Sequence, residues 1–390
     1  MKPINLLKID IDKKRNYGLD ILRALAIFFV VNSHGTAFFN EGSTIFKILT
    51  YFNLDGVSLF FVLSGFLIGG ILIKELEKHG ASFKLLLNFW IRRWFRTLPN
   101  YYLILTILVI IHLHTKSIPN FSSVKSFYYF FANFSTPLPD LKFFMESWSL
   151  SVEEWFYITI PLIIFIMVGA FKSKPKSSLV IVAIIVILFT TWFRYYRFLQ
   201  WQHISFVEID DNFRKEVITR LDSLMYGLLG AFMAFYHAIE WKRYKKPLFF
   251  IGIILLYVKS SQFLLGDFGA FYNCVFSFSV ESLGVLFIIP YITELKSGSG
   301  FVYKCVTCLS IISYSVYLLN ASVVQHYFIS GFLTKYVFKY LPAFCLAPFQ
   351  YFSFWFVTII CSIVLYKYFE KPTMALRDRF KQRTVIEHKS

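Results

Sequence analysis

Arg23 and His34 stand eleven residues apart inside one apolar run. At 3.6 residues per turn that separation is about three turns, so a helix places them on nearly the same face, roughly 16 Å apart along its axis. Histidine suits proton transfer near neutral pH, and the planar donor fork of arginine suits phosphate. Ionisable groups in a hydrophobic span are costly and are functional candidates by default. The pair would accommodate a long phosphorylated donor. A structural role fits the same spacing, with Arg23 snorkelling to headgroups and His34 bonding a neighbouring helix, and spacing does not separate the two.

Two further constellations carry charge. Arg92, Arg93 and Arg96 fall in Asn88-Phe-Trp-Ile-Arg-Arg-Trp-Phe-Arg-Thr-Leu-Pro99, interleaved with Trp90 and Trp94. Arg93 and Arg96, three apart, share a helix face. Taken alone, the segment reads as a positive anchor with an interfacial aromatic belt. In Glu146-Ser-Trp-Ser-Leu-Ser-Val-Glu-Glu-Trp-Phe-Tyr157 two adjacent acids ride on a helix entering the membrane from outside. Ser151 and Glu154 have capping-box spacing. Glu153 projects about 100° away from Glu154, so it is the acid expected to reach into the bundle as a partner for His34 or a substrate hydroxyl.

The elements that must position these groups follow from composition. Of 390 residues, 57% are hydrophobic, 21% aromatic and only 16% charged, which excludes a soluble globule. Apolar runs of bilayer-spanning length occur at 19–39, 54–73, 97–114, 148–170, 179–199, 218–238, 247–265, 270–292, 306–329 and 348–366. The expected architecture is an all-α membrane protein, a bundle of about ten transmembrane helices. The first run follows a basic leader without a small-residue cleavage site and is read as a retained span. Roughly two thirds of the 40 Lys and Arg lie in the leader, the tail and alternate connectors, and roughly a fifth in the opposite set. That bias places both termini in the cytoplasm. It also assigns most of the +17 net charge to topology, because basic residues dispersed over short juxtamembrane segments do not make a nucleic-acid patch. The implied organisation is a cytoplasmic basic leader at 1–18, a transmembrane domain at 19–370 and a cytoplasmic basic tail at 371–390. Cys305 and Cys308, without a second pair or a nearby His, are read as packing at a helix end, and no metal site is expected.

Together these segments resemble acyltransferase family three, integral membrane proteins that transfer acyl groups, commonly acetyl, to extracytoplasmic glycans. The resemblance covers nearly the whole chain. It rests on Gly18-Leu-Asp-Ile-Leu-Arg-Ala-Leu-Ala26 leading to His34, Phe60-Phe-Val-Leu-Ser-Gly-Phe-Leu-Ile68, Arg93-x-x-Arg96 and Trp148-Ser-Leu-Ser-Val-Glu-Glu154. Weaker matches are Arg220-Leu-Asp222 with Gly227, Ser313-Tyr-Ser-Val-Tyr-Leu318 and Glu370-Lys-Pro372.

The resemblance implies a membrane O-acyltransferase taking an acyl group, by expectation acetyl, from cytoplasmic acyl-CoA to a hydroxyl of an extracytoplasmic glycan or lipid-linked saccharide. Arg93, Arg96 and Arg23 would bind the donor, acetyl-CoA. His34 would act as base or transient acyl carrier, with Glu153 orienting it. The implied location is the bacterial inner membrane. Two positions depart from the family pattern: Ser58 where many members carry Asp, with Asp55 one turn earlier, and Asn320 where members often carry His. No role is assigned to Asn320 on sequence grounds. Two rival readings are a transporter or flippase for a glycan or lipid-linked intermediate, and an inactive scaffold. The transporter would use Arg194, Arg197, Arg214 and Arg220, which otherwise read as snorkelling to headgroups. No appended extracytoplasmic domain is expected, so an acceptor would meet the outer segments from Lys116 to Glu146 and from Gln200 to Val217.

Overall fold

The computed structural model describes residues 9–12, 15–51, 53–115, 121–134, 138, 143–200, 206–260 and 268–377. The expected leader, tail, both outer segments and the end of the run at 247–265 lie partly outside these residues. The main helices are α1 (Tyr17–Gly35), α2 (Gly56–His79), α3 (Phe83–Thr115), α4 (Ser147–Gly169), α5 (Pro175–Leu199), α6 (Leu221–Tyr236), α7 (Lys245–Ser260), α8 (Ser277–Ile292), α9 (Gly300–Leu319) and α10 (Ala343–Leu365). No strand occurs among the described residues.

Local chemistry sets several boundaries. The Asn16 side chain accepts the Leu19 amide at the start of α1, and Asp55 accepts the Val57 amide at the start of α2, each satisfying one of the donors a helix leaves free at its N-terminus. The α2 helix stops at Gly80, whose φ of 68° suits a residue without Cβ.

Each of the ten apolar runs falls on a helix, but they are not ten full-length spans. Among the described residues, seven helical stretches are long and apolar enough to cross a bilayer, eight if a bent pair counts as one. That pair, Gly269–Val275 and Ser277–Ile292, bends by 61° and divides the run expected at 270–292. Helices α6 and α7 have 16 residues each, about 24 Å, against a hydrocarbon core of about 30 Å. The structure also moves the arginine segment. Helix α3 begins at Phe83, so Arg92, Arg93 and Arg96 ride on the same continuous helix as the span instead of a connector before it.

Backbone contact between α2 and α6 explains two of the sequence motifs. A Cβ at Gly65 would lie 2.0 Å from the Leu224 carbonyl oxygen, and one at Gly227 would lie 2.1 Å from that of Val62. Small residues allow helices to approach this closely where no hydrophobic effect drives them together. The crossing delivers Arg220 to Ser58. The Arg220 Nη2 donates to Ser58 Oγ at 2.7 Å, and that oxygen lies 2.9 Å from Asp55 and 3.0 Å from Glu281.

Arg194, like Arg220 fully buried, donates at 2.8 Å to both Asp222 and Ser279. Arg214 bonds Asp55 and Asp210 at 3.1 Å each, and Arg197 is paired with Glu216. These arginines therefore do not snorkel to headgroups; they join the helices internally, because Asp55, Asp222 and Glu216 offer partners within reach. Cys305 is exposed on α9 and Cys308 is half-buried, so the expected helix-end packing does not hold for Cys305.

Candidate active site

A partly open cavity, about 830 Å³ counting the space at its mouth, lies among α1, α2, α3, α4 and α9. Four of the five site residues expected from sequence line it: Arg23, Arg93, Arg96 and Glu153. His34 is not among its lining residues.

The charge balance of this cavity is uneven. Arg23 reaches Asp20 at 3.3 Å, but Asp20 is also held by Arg15, at 2.5 and 3.0 Å, and by Ser310 at 2.7 Å. One carboxylate thus serves two guanidinium groups. Neither Arg93 nor Arg96 has a hydrogen-bonded carboxylate among the described residues, and Arg93 Nε is buried with no partner. Glu153 is the acid lining this space, and it accepts a hydrogen bond from Tyr157 at 2.9 Å, whose hydroxyl lies 2.7 Å from Ser64. Buried donors left unsatisfied are expensive, so the unpartnered Arg93 Nε and three arginines around a space lined by the single acid Glu153 make a site suited to an anion.

Helix α4 departs from the capping-box expectation. It starts at Ser147, with Glu146 at its N-cap, and Ser151 Oγ donates to the Ser147 carbonyl instead of capping. Glu154 is buried and accepts Thr97 Oγ1 at 2.7 Å, tying α4 to α3. Both adjacent acids therefore face the bundle.

His34 makes its contact elsewhere. Its Nδ1 bonds Oδ1 of Asn320, and its carbonyl accepts Gln325 Nε2 at 2.7 Å. The Asn320 amide is oriented by its other end, where Nδ2 donates to the carbonyls of Tyr317 at 2.7 Å and Val316 at 3.1 Å. With Nδ2 committed to carbonyls, Oδ1 faces the imidazole as an acceptor, so Nδ1 carries the proton and Nε2 of the neutral ring keeps its lone pair. Glu153 is not brought to His34. The acid at the mouth of α4 is Glu146, and Glu153 lies seven residues further, about two turns or roughly 10 Å down the helix.

Asn320 and Glu146 meet at a break in α9. From Asn320 to Leu333 the helix continues in wider π turns, which recur at functional sites. Glu146 is 1% exposed, and its Oε1 accepts the amides of Ala321 and Ser322 at 2.9 Å each. Its Oε2 bonds Ser322 Oγ. Burial pushes its carboxyl up to about 7, against the bonds from Ser322 and Ala321. Tyr317, one turn before Asn320, lines the cavity, contacts Phe60 edge-on and bonds Ser149, and so connects the arginine-lined space to the histidine. Sequence reasoning gave no role to Glu146, Tyr157 or Tyr317, and it marked Asn320 as a departure from the family pattern without assigning it one. The available signal was their place in or beside the motifs Trp148–Glu154 and Ser313–Leu318, not a periodicity.

A family model described as an acyltransferase domain matches residues 16–367. The chain is 32% identical over 191 residues to the peptidoglycan O-acetyltransferase OatA of Listeria monocytogenes, covering 45% of this chain and 28% of that protein. It is 26% identical over 397 residues to a putative O-acetyltransferase of Staphylococcus aureus, covering 92% of this chain and 58% of that one. A putative peptidoglycan O-acetyltransferase of Bacillus subtilis, YrhL, is 33% identical over 188 residues, 44% of this chain and 27% of that protein. The chain thus spans less than two thirds of the length of these relatives. No solved structure matches it. With the family model covering all five expected site residues, the chain belongs to acyltransferase family three.

Proposed function

We propose that the protein is a membrane O-acyltransferase that moves an acetyl group from cytoplasmic acetyl-CoA to a hydroxyl of an extracytoplasmic glycan, with peptidoglycan the first acceptor to test. The observation that carries this reading is the cavity in which Arg23, Arg93 and Arg96 surround the single carboxylate of Glu153. The names of the relatives support acetyl transfer and a cell-wall acceptor. About ten crossings, counting the bent pair and the short helices α6 and α7 with the seven long stretches, and both termini cytoplasmic in a bacterial inner membrane complete the proposal; the basic bias of alternate connectors supports that orientation.

In this reading Arg93 and Arg96 bind the donor phosphates, Arg23 extends the positive path, and the pantetheine arm passes Tyr317 toward His34. The His34 Nε2 takes the acceptor hydroxyl proton as general base. The acceptor oxygen forms a bond to the thioester carbonyl carbon, the carbon–sulfur bond breaks, and the imidazolium returns its proton to the departing thiolate. In the two-step variant Nε2 itself attacks the thioester carbonyl carbon and the carbon–sulfur bond breaks to release the thiolate; the acceptor oxygen then takes the acetyl group from Nε2, and the hydroxyl proton leaves to balance the one the thiolate takes up. Asn320 serves both routes, since each needs a lone pair on Nε2. Glu153, hydrogen-bonded to Tyr157, belongs to the donor cavity in this scheme.

The transporter reading draws no support from the arginines it would use. Arg194, Arg197, Arg214 and Arg220 are committed to internal partners.

The test uses purified protein in proteoliposomes, following thiol release from acetyl-CoA with a soluble peptidoglycan fragment as acceptor. His34→Ala should abolish turnover while leaving acetyl-CoA binding intact. Arg93→Ala with Arg96→Ala should weaken acetyl-CoA binding by about 10-fold or more, the scale of one lost charge-assisted hydrogen bond. Unchanged turnover in His34→Ala, or glycan movement without thiol release, would refute the proposal. Labelled acetyl retained on the protein without acceptor would select the two-step route.

A further inference from the structure

We propose that Glu146 is a positioning residue for His34: its carboxyl group holds the break in α9 that presents the Asn320 amide oxygen to the imidazole. The inference rests on the reading of His34 as the reacting group.

The backbone hydrogen bonds around the break account for one another. In an unbroken α-helix the Ala321 amide would donate to the Tyr317 carbonyl and the Ser322 amide to that of Leu318. Here both amides donate to Glu146 Oε1. The Tyr317 carbonyl, one turn before Ala321, accepts Asn320 Nδ2 at 2.7 Å. That bond turns Oδ1 of the same amide toward His34 Nδ1. The carboxyl group itself is fixed by Ser322 Oγ, which also accepts the Met145 amide at 2.9 Å. Without an acceptor at Oε1, the two amides would either be left unpaired in a buried site or return to the α register. Either outcome shifts the backbone next to Asn320, on whose position the bonds of its amide to Tyr317 and His34 depend.

The role requires an acceptor oxygen at Oε1 and a polar group at Oε2, not a proton in transit. Glutamine supplies both, since its carbonyl can accept the two amides and its amide nitrogen can donate to Ser322 Oγ. A carboxyl group engaged in proton transfer would not survive that exchange, so the Gln variant separates positioning from chemistry.

The experiment measures kcat and KM for acetyl-CoA, by thiol release with the peptidoglycan fragment, in Glu146→Gln, Glu146→Ala, Asn320→Ala and the Glu146→Ala/Asn320→Ala double variant. Glu146→Gln should keep kcat within about threefold, less than half a decade. Glu146→Ala should lower kcat by about 5- to 150-fold with KM for acetyl-CoA unchanged, the scale of a buried group left unsatisfied. Because Glu146 acts through Asn320, adding Glu146→Ala to Asn320→Ala should lower kcat by less than about twofold more. If Glu146→Ala fails to accumulate, Glu146→Asp replaces it, since the shorter side chain withdraws the oxygens from the two amides. Wild-type kcat in Glu146→Ala, a Gln variant as impaired as Ala, or multiplicative losses in the double variant would each overturn the inference. If His34→Ala also retains turnover, the parent reading of the site has failed; if His34→Ala is inactive, only the role of Glu146 has.

Discussion

Replacing Asn320 by Ala tests the histidine geometry directly. Asn320 is fully buried and makes three bonds at once: Oδ1 to His34, and Nδ2 to the carbonyls of Tyr317 and Val316. Alanine leaves the imidazole Nδ1 without its acceptor and the Tyr317 carbonyl without its side-chain donor. A buried polar group losing its partner costs about 1–3 kcal/mol. If that loss is felt in the transition state, where the ring must hold a proton or an acyl group, kcat falls by about 5- to 150-fold. The three arginines and Glu153 make no hydrogen bond to Asn320, so KM for acetyl-CoA should stay within about twofold, and the loss should sit in kcat. Asn320→Asp refines the test. A carboxylate in place of the amide oxygen stabilises the imidazolium, so the acid limb of the pH–rate profile should move to higher pH. The assay is thiol release from acetyl-CoA at saturating acceptor, with donor binding measured on the same samples. An Asn320→Ala protein with wild-type kcat, or one whose entire loss appears in KM, would refute the assignment of Asn320 as the orienting partner of His34.

Gly227→Ala places a Cβ 2.1 Å from the Val62 carbonyl oxygen, a backbone atom that cannot rotate away, so α2 and α6 must separate; overpacking of this kind costs about 1–3 kcal/mol and should lower the melting temperature in detergent. Asp222→Ala leaves Arg194 as a buried, unpaired cation and should destabilise the protein by about 3–5 kcal/mol, whereas exchanging both residues for apolar ones of similar volume should recover much of the loss, as thermal unfolding will show. Because the folded Glu146 carboxyl is raised from 4.5 to about 7, the folded state holds a proton that the unfolded chain has released. Its contribution to stability is therefore present below the unfolded value and is lost as pH rises towards the folded one, and Glu146→Gln should flatten this slope in melting curves recorded from pH 5 to 8.

Much of the lining of the arginine cavity could be read in advance. Spacing puts Arg93 and Arg96 on one helix face, the cost of charge inside a span marks Arg23, and the angle from Glu154 marks Glu153; only the family resemblance points the arginines at a donor. The expectation went astray where it joined Glu153 to His34. That pairing assumed the acids lay at the mouth of α4, but the helix starts earlier, at Ser147, and leaves Glu146 at the mouth. The arginines of the second half were misjudged for a related reason. Charge inside an apolar run looks like an anchor until the partner helix is known, and Arg194 and Arg220 find theirs on segments 28 and 162 residues away in sequence.

The sequence by itself determined what depends on single segments: membrane residence, the all-helical class, the family, and the residue types available for phosphate and proton chemistry. These follow from hydropathy, charge and spacing along one helix. Tertiary structure decided what depends on contacts between segments. It set Ser58 between Asp55, Arg220 and Glu281, which fills with an ion network a position where the family pattern suggested an acid. It also made Asn320 the partner of His34 across 286 residues of chain and gave the two backbone amides that follow it to Glu146. The two amides at the start of the π turns are taken by a side chain of another element, and no spacing within α9 announces that this acceptor comes from the start of α4.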